Sequence, residues 1–277
     1  MLTSFPFKDK KCVFRTSGTS RDAKGAHFFD TLRLYERSVP PLFEKHLLPD
    51  GAELSYFFLI SPSRETPHSS LSFMMRVVDR HFAGGRGRYY VKNDKPLYSK
   101  LAADLKKARG KVFLLSTALT LKGFLEFLSA GRIKISLVTG SRLMETGGFK
   151  GRTTEISKAA LYARCAKYLG IPKSRCVSEY GMTELSSQMY SVAGGVFAGP
   201  AWLRTRVVDP RTGQEAKKSA AGILCHVDLA NRGSVLAVQT EDLGRSVDGG
   251  FELLGRAKGS ELRGCSLTYE EFIRNGE

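Results

Sequence analysis

The chain has 277 residues, of which 42% are hydrophobic and 25% charged, and these proportions exclude a disordered or low-complexity protein. There is no run of 18 apolar residues, no signal-peptide pattern and no CxxC spacing among the five cysteines. We therefore expect no membrane span, and we expect reduced thiols in the cytoplasm. The net charge of +16 favours an anionic partner or substrate without identifying it.

Strand and helix patterns alternate through the first two thirds of the chain, which predicts α/β layers with parallel pairing. The predicted strands are Lys11–Phe14, Leu54–Ile60, Val112–Ser116, Lys134–Val138 and Arg175–Val177. The predicted helices are His27–Val39, Ser70–His81, Tyr98–Arg109, Leu121–Ser129 and Glu155–Leu169. We expect Pro40-Pro41 to stop the first helix and Gly110 to close the third. We expect Thr154 to cap the last helix and Gly170 to end it.

After about Tyr190 the pattern changes to short strands separated by turns. These strands are predicted at Val196–Trp202, Arg204–Val208, Ile223–Val227, Val235–Gln239 and Phe251–Leu254. The pattern predicts a small, mostly antiparallel β-rich subdomain at 193–277, following an α/β core at 1–192.

The loop between Arg15 and Gly25 is the first candidate phosphate site. Accessible backbone amides, hydroxyl groups and one ammonium group are suited to wrapping the outer oxygens of a triphosphate. The residues that supply them are Thr16, Ser17, Gly18, Thr19, Ser20 and Lys24. The loop lacks the GxxxxGK[ST] spacing of a P-loop, and an ordinary Ser/Thr/Gly loop would have the same composition.

The second candidate is the heptad Ser178–Glu184, which follows a short apolar run. Tyr180 offers a face for stacking on a base, and Gly181 lets the backbone come close to a ligand. Thr183 offers a hydroxyl for a phosphate oxygen, and Glu184 offers a carboxylate for Mg²⁺. A Tyr-Gly turn after a buried strand would look the same, so the heptad alone is weak evidence.

Two downstream motifs extend the series. Asp242, where Gln239–Gly244 is expected to end a strand, can accept hydrogen bonds from both hydroxyls of a ribose. Arg256, in Gly255-Arg256-Ala257-Lys258, can contact phosphate and ribose. A strand-ending Asp turn and a solvated basic turn are equally ordinary interpretations. Gly140, in the turn after the predicted strand 134–138, is a further nucleotide-binding candidate.

The order of these motifs resembles the adenylate-forming superfamily of acyl- and aryl-CoA synthetases, peptide-synthetase adenylation domains and luciferases. In the first loop Arg21 and Ala23 replace a glycine and a proline of the family pattern, while Lys24-Gly25 match it. The resemblance implies parallel sheet layers and a small barrel-like β subdomain, with ATP and Mg²⁺ as cofactors. It also implies that the first loop holds the β- and γ-phosphates.

The same resemblance assigns roles to the later motifs. It implies that Thr183 bonds the α-phosphate, that Glu184 ligates Mg²⁺ and that Tyr180 lies against the adenine. It further implies that Asp242 anchors the ribose and that Arg256 steadies the adenylate.

Within the superfamily the chain resembles the acyl-protein synthetases of the bacterial bioluminescence fatty-acid reductase complex, the LuxE-type family. The matching residues are Pro62-Ser63, Ser69–Met74 and Glu261–Ser266. This resemblance implies a fatty-acid substrate, Cys265 as the acyl acceptor, and an acyl reductase or acyl-carrier protein as partner. Lys258 and Arg263 would favour a Cys265 thiolate and Glu261 would oppose it, whereas most lone cysteines are packing residues.

The resemblance begins near Lys11, and the chain ends soon after Lys258. We therefore expect that the family's preceding segment and its full C-terminal lid are absent. The sheet edge and core that the preceding segment would cover are then exposed, covered by an oligomer or partner chain, or missing because the chain is a fragment. Two alternatives stay open: a nucleotide-binding module without ligase activity, and a basic nucleic-acid-binding protein. The Gly84–Tyr90 tract of arginine, glycine and tyrosine gives thin support to the second.

Overall fold

The structure is a computed structural model that describes residues 3–16, 25–147 and 156–257. The strands are β1 (Cys12–Arg15), β2 (Ala26–Phe29), β3 (Ser55–Leu59), β4 (Arg88–Tyr89), β5 (Val91–Lys92), β6 (Lys95–Pro96), β7 (Val112–Thr117), β8 (Arg142–Thr146), β9 (Cys176–Tyr180), β10 (Met189–Val192), β11 (Leu203–Val208), β12 (Ala221–Asp228), β13 (Ala237–Val247) and β14 (Gly250–Arg256). The α-helices are α1 (Arg33–Leu47), α2 (Ser70–Phe82), α3 (Tyr98–Lys107), α4 (Ala118–Ala130) and α5 (Lys158–Leu169).

A six-stranded sheet in the order β10-β9-β8-β7-β3-β4 forms the centre of the fold. Its strands are parallel except β10, which pairs antiparallel with β9 at one edge. A second sheet, β11-β12-β13-β14, is antiparallel throughout. The predicted α/β class with parallel layers and a following β-rich part is therefore confirmed, while the division at residue 192 stays a prediction.

Helices cover both faces of the central sheet, and strand β7 shows why its sequence reads as a continuous apolar run. Phe113 and Leu115 point into the core that contains Val39 of α1. Leu114 points to the opposite face and packs in the core that contains Leu161 of α5. Because both faces are buried, residues Val112–Leu115 of the strand are all apolar.

The first helix differs from its prediction. Ala26–Phe29 forms strand β2, which pairs antiparallel with β1, and the helix begins only at Arg33. It then continues through Pro40 and Pro41 to Leu47. Proline disfavours a helix interior, but Phe43 and Leu47 beyond the prolines are fully buried. Their burial holds the second half of the helix against that local preference.

The predicted strand 134–138 is wrong, and β8 instead lies between β7 and β9 in the central sheet. Residues 132–141 run beside the end of α5, where the amide of Ile135 donates to the carbonyl of Tyr168. Strand β8 escaped prediction because it contains Arg142 and Glu145, both of which are buried. Arg142 pairs with Asp50 at 2.9 Å, so a charged residue is tolerated inside the sheet.

Several element boundaries also move. Strand β10 was not predicted, 196–202 forms only isolated bridges, and β13 runs to Val247 instead of ending near Gln239. Helix α3 ends at Lys107, so Gly110 does not cap it. Gly170 ends α5 in a left-handed conformation with φ of 72°, which confirms that prediction. Thr154 and Glu155 lie outside the described residues, and Ser157 caps the described helix.

An apolar cluster joins the two sheets. Tyr180 and Met189, from the edge of the central sheet, pack with Leu224 and Phe251 of the antiparallel sheet. Residues 181–188, which connect β9 to β10, therefore lie beside both sheets. In the described part of the chain, none of the helices has the length and apolar character required to cross a bilayer.

Candidate nucleotide site

The candidate site begins where strand β9 ends. Tyr180 is the last residue of that strand, and Gly181 opens the connection to β10. The carboxyl ends of parallel strands are where open α/β sheets bind ligands. The structure thus places the predicted heptad at the edge of the sheet suited to a site, with its first three residues in the strand.

Tyr180 is tied to the antiparallel sheet. Its hydroxyl donates to Asp242 Oδ2 at 2.7 Å, and its ring makes an edge contact with Phe251. Burial, followed by the nearby Asp242 charge, raises the pKa of Tyr180 well above its usual value. Only 8% of the residue is exposed, because the ring packs among apolar side chains and the hydroxyl is bonded to Asp242. Stacking of this ring on adenine stays a prediction.

Asp242 lies within β13 and not at the end of a strand, contrary to the sequence prediction. It is in register with Arg256 of the neighbouring β14. The Arg256 Nε lies 3.4 Å from Asp242 Oδ1, and its Nη2 lies 3.4 Å from Glu241 Oε2. Tyr180, Asp242 and Arg256 therefore form one connected group, with the guanidinium on its exposed side.

The base of the first candidate loop is closed by its two ends. The amide of Gly25 donates to Thr16 Oγ1 at 2.9 Å, and the amide of Thr16 donates to the Gly25 carbonyl at 2.9 Å. Ser17, Gly18, Thr19, Ser20 and Lys24 lie outside the described residues, so their phosphate contacts stay predictions.

Glu184 lies next to this base, although it is 159 residues further along the chain than Gly25. A Cβ built on Gly25 would stand 3.7 Å from Glu184 Oε1. Glu184 is partly exposed, and over the described ranges no salt bridge engages its carboxylate. A carboxylate that no described basic side chain engages, beside a candidate phosphate loop, would suit Mg²⁺, which is commonly held by one or two carboxylates plus substrate phosphates. The described residues contain no group of three His, Cys, Asp or Glu that would hold a metal without a substrate.

The backbone of the Thr183-Glu184 pair is held by residues that the sequence reasoning missed. His27 Nδ1 donates to the Thr183 carbonyl at 2.8 Å, and Asn231 Nδ2 donates to the Glu184 carbonyl at 2.7 Å. Asp228 then accepts hydrogen bonds from the amides of Ser186 and Ser187, each at 2.9 Å. Every residue type has a backbone carbonyl, and nearly every type has a backbone amide. Contacts to these groups therefore leave no recognisable motif in the sequence.

A buried acidic group lies under the same edge of the sheet and was also missed. Glu179 accepts a hydrogen bond from the Thr146 hydroxyl. Burial raises the pKa of Glu179 to about 7, although the Thr146 hydrogen bond acts in the opposite direction. On the neighbouring strand β8, Glu145 forms an ion pair with Lys158 and accepts a hydrogen bond from Tyr162 at 2.8 Å. The acidic groups at this edge come from strands β8 and β9, and the lysine that pairs with Glu145 comes from helix α5.

One predicted site residue, Gly140, is not part of this group. Gly140 precedes β8, so it lies at the amino-terminal edge of the parallel strands, opposite the end of β9. Its φ is +93°, and the side chain of Lys111 packs against it. Cys265, like Lys258, lies outside the described residues.

Comparisons with known proteins give a fold. No family model matches the chain, and no curated protein matches it in sequence. Among solved structures, it is similar to the long-chain-fatty-acid-CoA ligase FadD1 of Archaeoglobus fulgidus, with a TM-score of 0.64 at 14% identity, covering 93% of this chain and 53% of that one. ATP-bound MatB of Rhodopseudomonas palustris gives a TM-score of 0.61 at 16% identity, covering 88% and 47%.

A third match is the O-succinylbenzoate coenzyme A synthetase MenE of Bacillus subtilis in complex with AMP, with a TM-score of 0.59 at 16% identity, covering 88% and 49%. The chain therefore has the fold of the core of adenylate-forming enzymes. It spans about half the length of these structures.

Proposed function

We propose that this protein is an adenylate-forming enzyme, which activates a carboxylic acid with ATP. The observation that carries the proposal is the position of the Glu184 carboxylate, which pairs with none of the described basic side chains, beside the Thr16–Gly25 loop base. Tyr180, which is bonded to Asp242 and through it to Arg256, ends strand β9 four residues before Glu184, and this supports a shared site for metal and ribose. The shared fold with ATP-bound and AMP-bound enzymes supports this reading.

In the first step a carboxylate oxygen of the acid attacks the α-phosphorus of ATP. The bond from that phosphorus to the β-phosphate bridging oxygen breaks, and pyrophosphate leaves with the electron pair. Such a step depends on positioning and charge neutralisation and needs no protein nucleophile. Thr183 would hold the α-phosphate, while Thr16 and the first loop would hold the outer phosphates. Asp242 and Arg256 would hold the ribose and the adenylate.

Glu184 would hold Mg²⁺ at the phosphates. The ion, when bound, supplies positive charge that offsets the charge developing on the phosphate oxygens. The partly exposed carboxylate has room for this role because none of the described basic side chains occupies it.

For the acid and its destination we propose a fatty acid and a protein thiol, on the strength of the LuxE-type sequence resemblance. The thiolate of Cys265 would attack the acyl carbonyl carbon. The bond between that carbon and the phosphate oxygen would break, releasing AMP and leaving a thioester. An acyl reductase or an acyl-carrier protein would then exchange the acyl group with Cys265.

Exchange of radiolabelled pyrophosphate into ATP, measured with and without a panel of carboxylic acids, tests the first step. We expect exchange that depends on an added fatty acid and falls about 100-fold or more in Glu184→Gln. Glu126→Gln, a matched change at a half-exposed carboxylate on helix α4, is expected to leave it unchanged. If no acid stimulates exchange while ATP still binds, the protein is a nucleotide-binding module and the proposal is wrong.

The second step has its own test. Incubation with ATP and labelled fatty acid is expected to leave a hydroxylamine-labile label on the wild-type protein and none on Cys265→Ser. A label that persists on Cys265→Ser as a hydroxylamine-labile thioester would reject Cys265 as the acceptor, without affecting the first step.

A further inference from the structure

We propose that His27 and Asn231 are positioning residues that set the main-chain orientation of Thr183 and Glu184, and thereby the α-phosphate and metal contacts of the site. The proposal rests on the proposed function. It starts from two hydrogen bonds to consecutive carbonyls, donated by residues that lie 204 positions apart in the chain.

His27 reaches the site from the first loop. It stands two residues after Gly25, in strand β2, and is 4% exposed. Its ring packs on Phe29 with 4.0 Å between ring centroids, which fixes the direction of the ring. A carbonyl only accepts, so the proton must be on Nδ1 for the 2.8 Å hydrogen bond to Thr183. Strand β2, which follows the candidate phosphate loop, is thus bonded directly to Thr183, the residue proposed to hold the α-phosphate.

Asn231 reaches the site from the connection after strand β12. It is 1% exposed, and its Nδ2 donates to the carbonyls of Glu184 at 2.7 Å and Val235 at 3.2 Å. Its Oδ1 accepts from the Ser186 hydroxyl at 2.6 Å. With both ends of the amide engaged, only one orientation of the side chain satisfies these contacts.

These contacts matter because the connection from β9 to β10 lacks a regular hydrogen-bond ladder between Gly181 and Gln188. The turn has one backbone hydrogen bond at its centre, from the Leu185 amide to the Met182 carbonyl at 3.2 Å. The peptide planes that follow Thr183 and Glu184 are instead fixed by side chains. A rotation of either plane would move the Glu184 carboxylate away from the loop base and change the direction of the Thr183 side chain.

Conservative substitutions separate the hydrogen bond from the shape of the residue. In His27→Asn the side-chain amide nitrogen can occupy the place of Nδ1, whereas in His27→Gln it is displaced toward Nε2. Asn231→Asp keeps the shape and replaces the donor to Glu184 by an acceptor. Asn93→Asp, the same change at an exposed position, is the matched control.

Three readouts are used on the intact chain: the Mg²⁺ dependence of acid-driven exchange, calorimetric ATP binding with and without Mg²⁺, and amide hydrogen exchange of residues 183–187. In His27→Gln and Asn231→Asp we expect the Mg²⁺ concentration for half-maximal exchange to rise about tenfold, the equivalent of one hydrogen bond. We expect the Mg²⁺-dependent gain in ATP affinity to fall by a similar factor. Amide exchange of 183–187 should accelerate, and His27→Asn and Asn93→Asp should behave like the wild type.

Two results would overturn the proposal. One is equal loss in His27→Asn and His27→Gln, which would mean that the imidazole shape matters and the donor does not. The other is an unchanged Mg²⁺ dependence together with a lowered Tm, which would mean a purely structural role. If the wild type neither exchanges pyrophosphate nor binds ATP, the proposed function fails instead. Amide exchange then still decides whether the two side chains hold residues 183–187.

Discussion

The Tyr180 hydroxyl donates to Asp242 Oδ2 at 2.7 Å, and this hydrogen bond connects the last residue of a parallel strand to the middle of an antiparallel one. It occupies one oxygen of the carboxylate that we predict to hold the ribose. The other oxygen faces Arg256 at 3.4 Å. The three side chains should therefore act on a nucleotide as a unit and not as separate contacts.

Tyr180→Phe tests that unit. The phenyl ring keeps the packing against Phe251 but removes the hydrogen bond, which leaves Asp242 free to turn toward Arg256. We expect the Kd for ATP to rise roughly threefold to tenfold, as for one lost hydrogen bond. In a calorimetric double-mutant cycle with Asp242→Asn, the two losses should be less than additive. Full additivity would show that the residues bind nucleotide independently.

Replacing the buried Glu179 by glutamine is predicted to stabilise the protein by an amount that depends on pH. Burial raises the pKa of its carboxyl from 4.5 to about 7, so between these values the unfolded chain is ionised while the folded chain is still protonated. The native state then binds more protons, and stability falls as the pH rises. Glu179→Gln removes this loss. Its free energy of unfolding should exceed that of the wild type by roughly 3 kcal/mol at pH 8 and match it near pH 4.5.

Urea unfolding of both proteins at several pH values measures the difference in their free energies of unfolding. Other titrating groups contribute equally to both proteins, so their effects cancel in this difference. A Glu179→Gln variant with the same advantage at every pH would show that the gain comes from packing or hydrogen bonding and has no link to ionisation.

The buried pair of Glu145 and Lys158 gives a third prediction. Lys158→Met leaves Glu145, which is fully buried, without its counter-ion. We expect a loss of about 2–3 kcal/mol in the free energy of unfolding, below the range for a fully buried pair because the Lys158 side chain is 35% exposed. The double variant Glu145→Gln/Lys158→Met should recover most of the loss. A double variant no more stable than Lys158→Met would locate the effect in the packing of the lysine stem.

Two glycines provide a matched pair for the fourth prediction. Gly170 has a φ of 72°, and a Cβ there would meet its neighbours only at ordinary distances of 3.6 Å or more. Gly170→Ala should therefore cost about 1 kcal/mol through the backbone conformation alone. Gly110→Ala has open space and an ordinary φ, so its stability should be unchanged or slightly raised. Thermal unfolding compares them, and equal Tm values would contradict the argument.

Much of the fold could be predicted because local pattern and tertiary burial agree in strands such as β7 and helices such as α2. The failures occur where they disagree. Strand β8 carries Arg142 and Glu145, which look exposed until Asp50 and Lys158 are brought against them from elsewhere in the chain. Helix α1 contains two prolines that only burial of the following residues overrides.

The candidate site divides in the same way. Tyr180, Asp242 and Arg256 could be selected as candidates because their side chains belong to motifs in a fixed order, and the structure brings these three side chains together. His27 and Asn231 could not, since they act on backbone carbonyls and leave no sequence pattern. The position of Gly140 was predicted wrongly because its turn was placed after a strand, whereas it precedes one.

Strand β3 has a further consequence for production of the protein. Its five residues, Ser55–Leu59, pair with β4 at only two positions, Phe57 and Phe58. An aromatic, uncharged run with a short edge partner is an aggregation hazard while the chain is folding. The guanidinium of Arg88, 5.5 Å from the Phe57 ring centroid, places a charge at that edge. We therefore expect Arg88 to oppose aggregation at this edge, so that Arg88→Ala lowers the yield of soluble protein while leaving its Tm nearly unchanged.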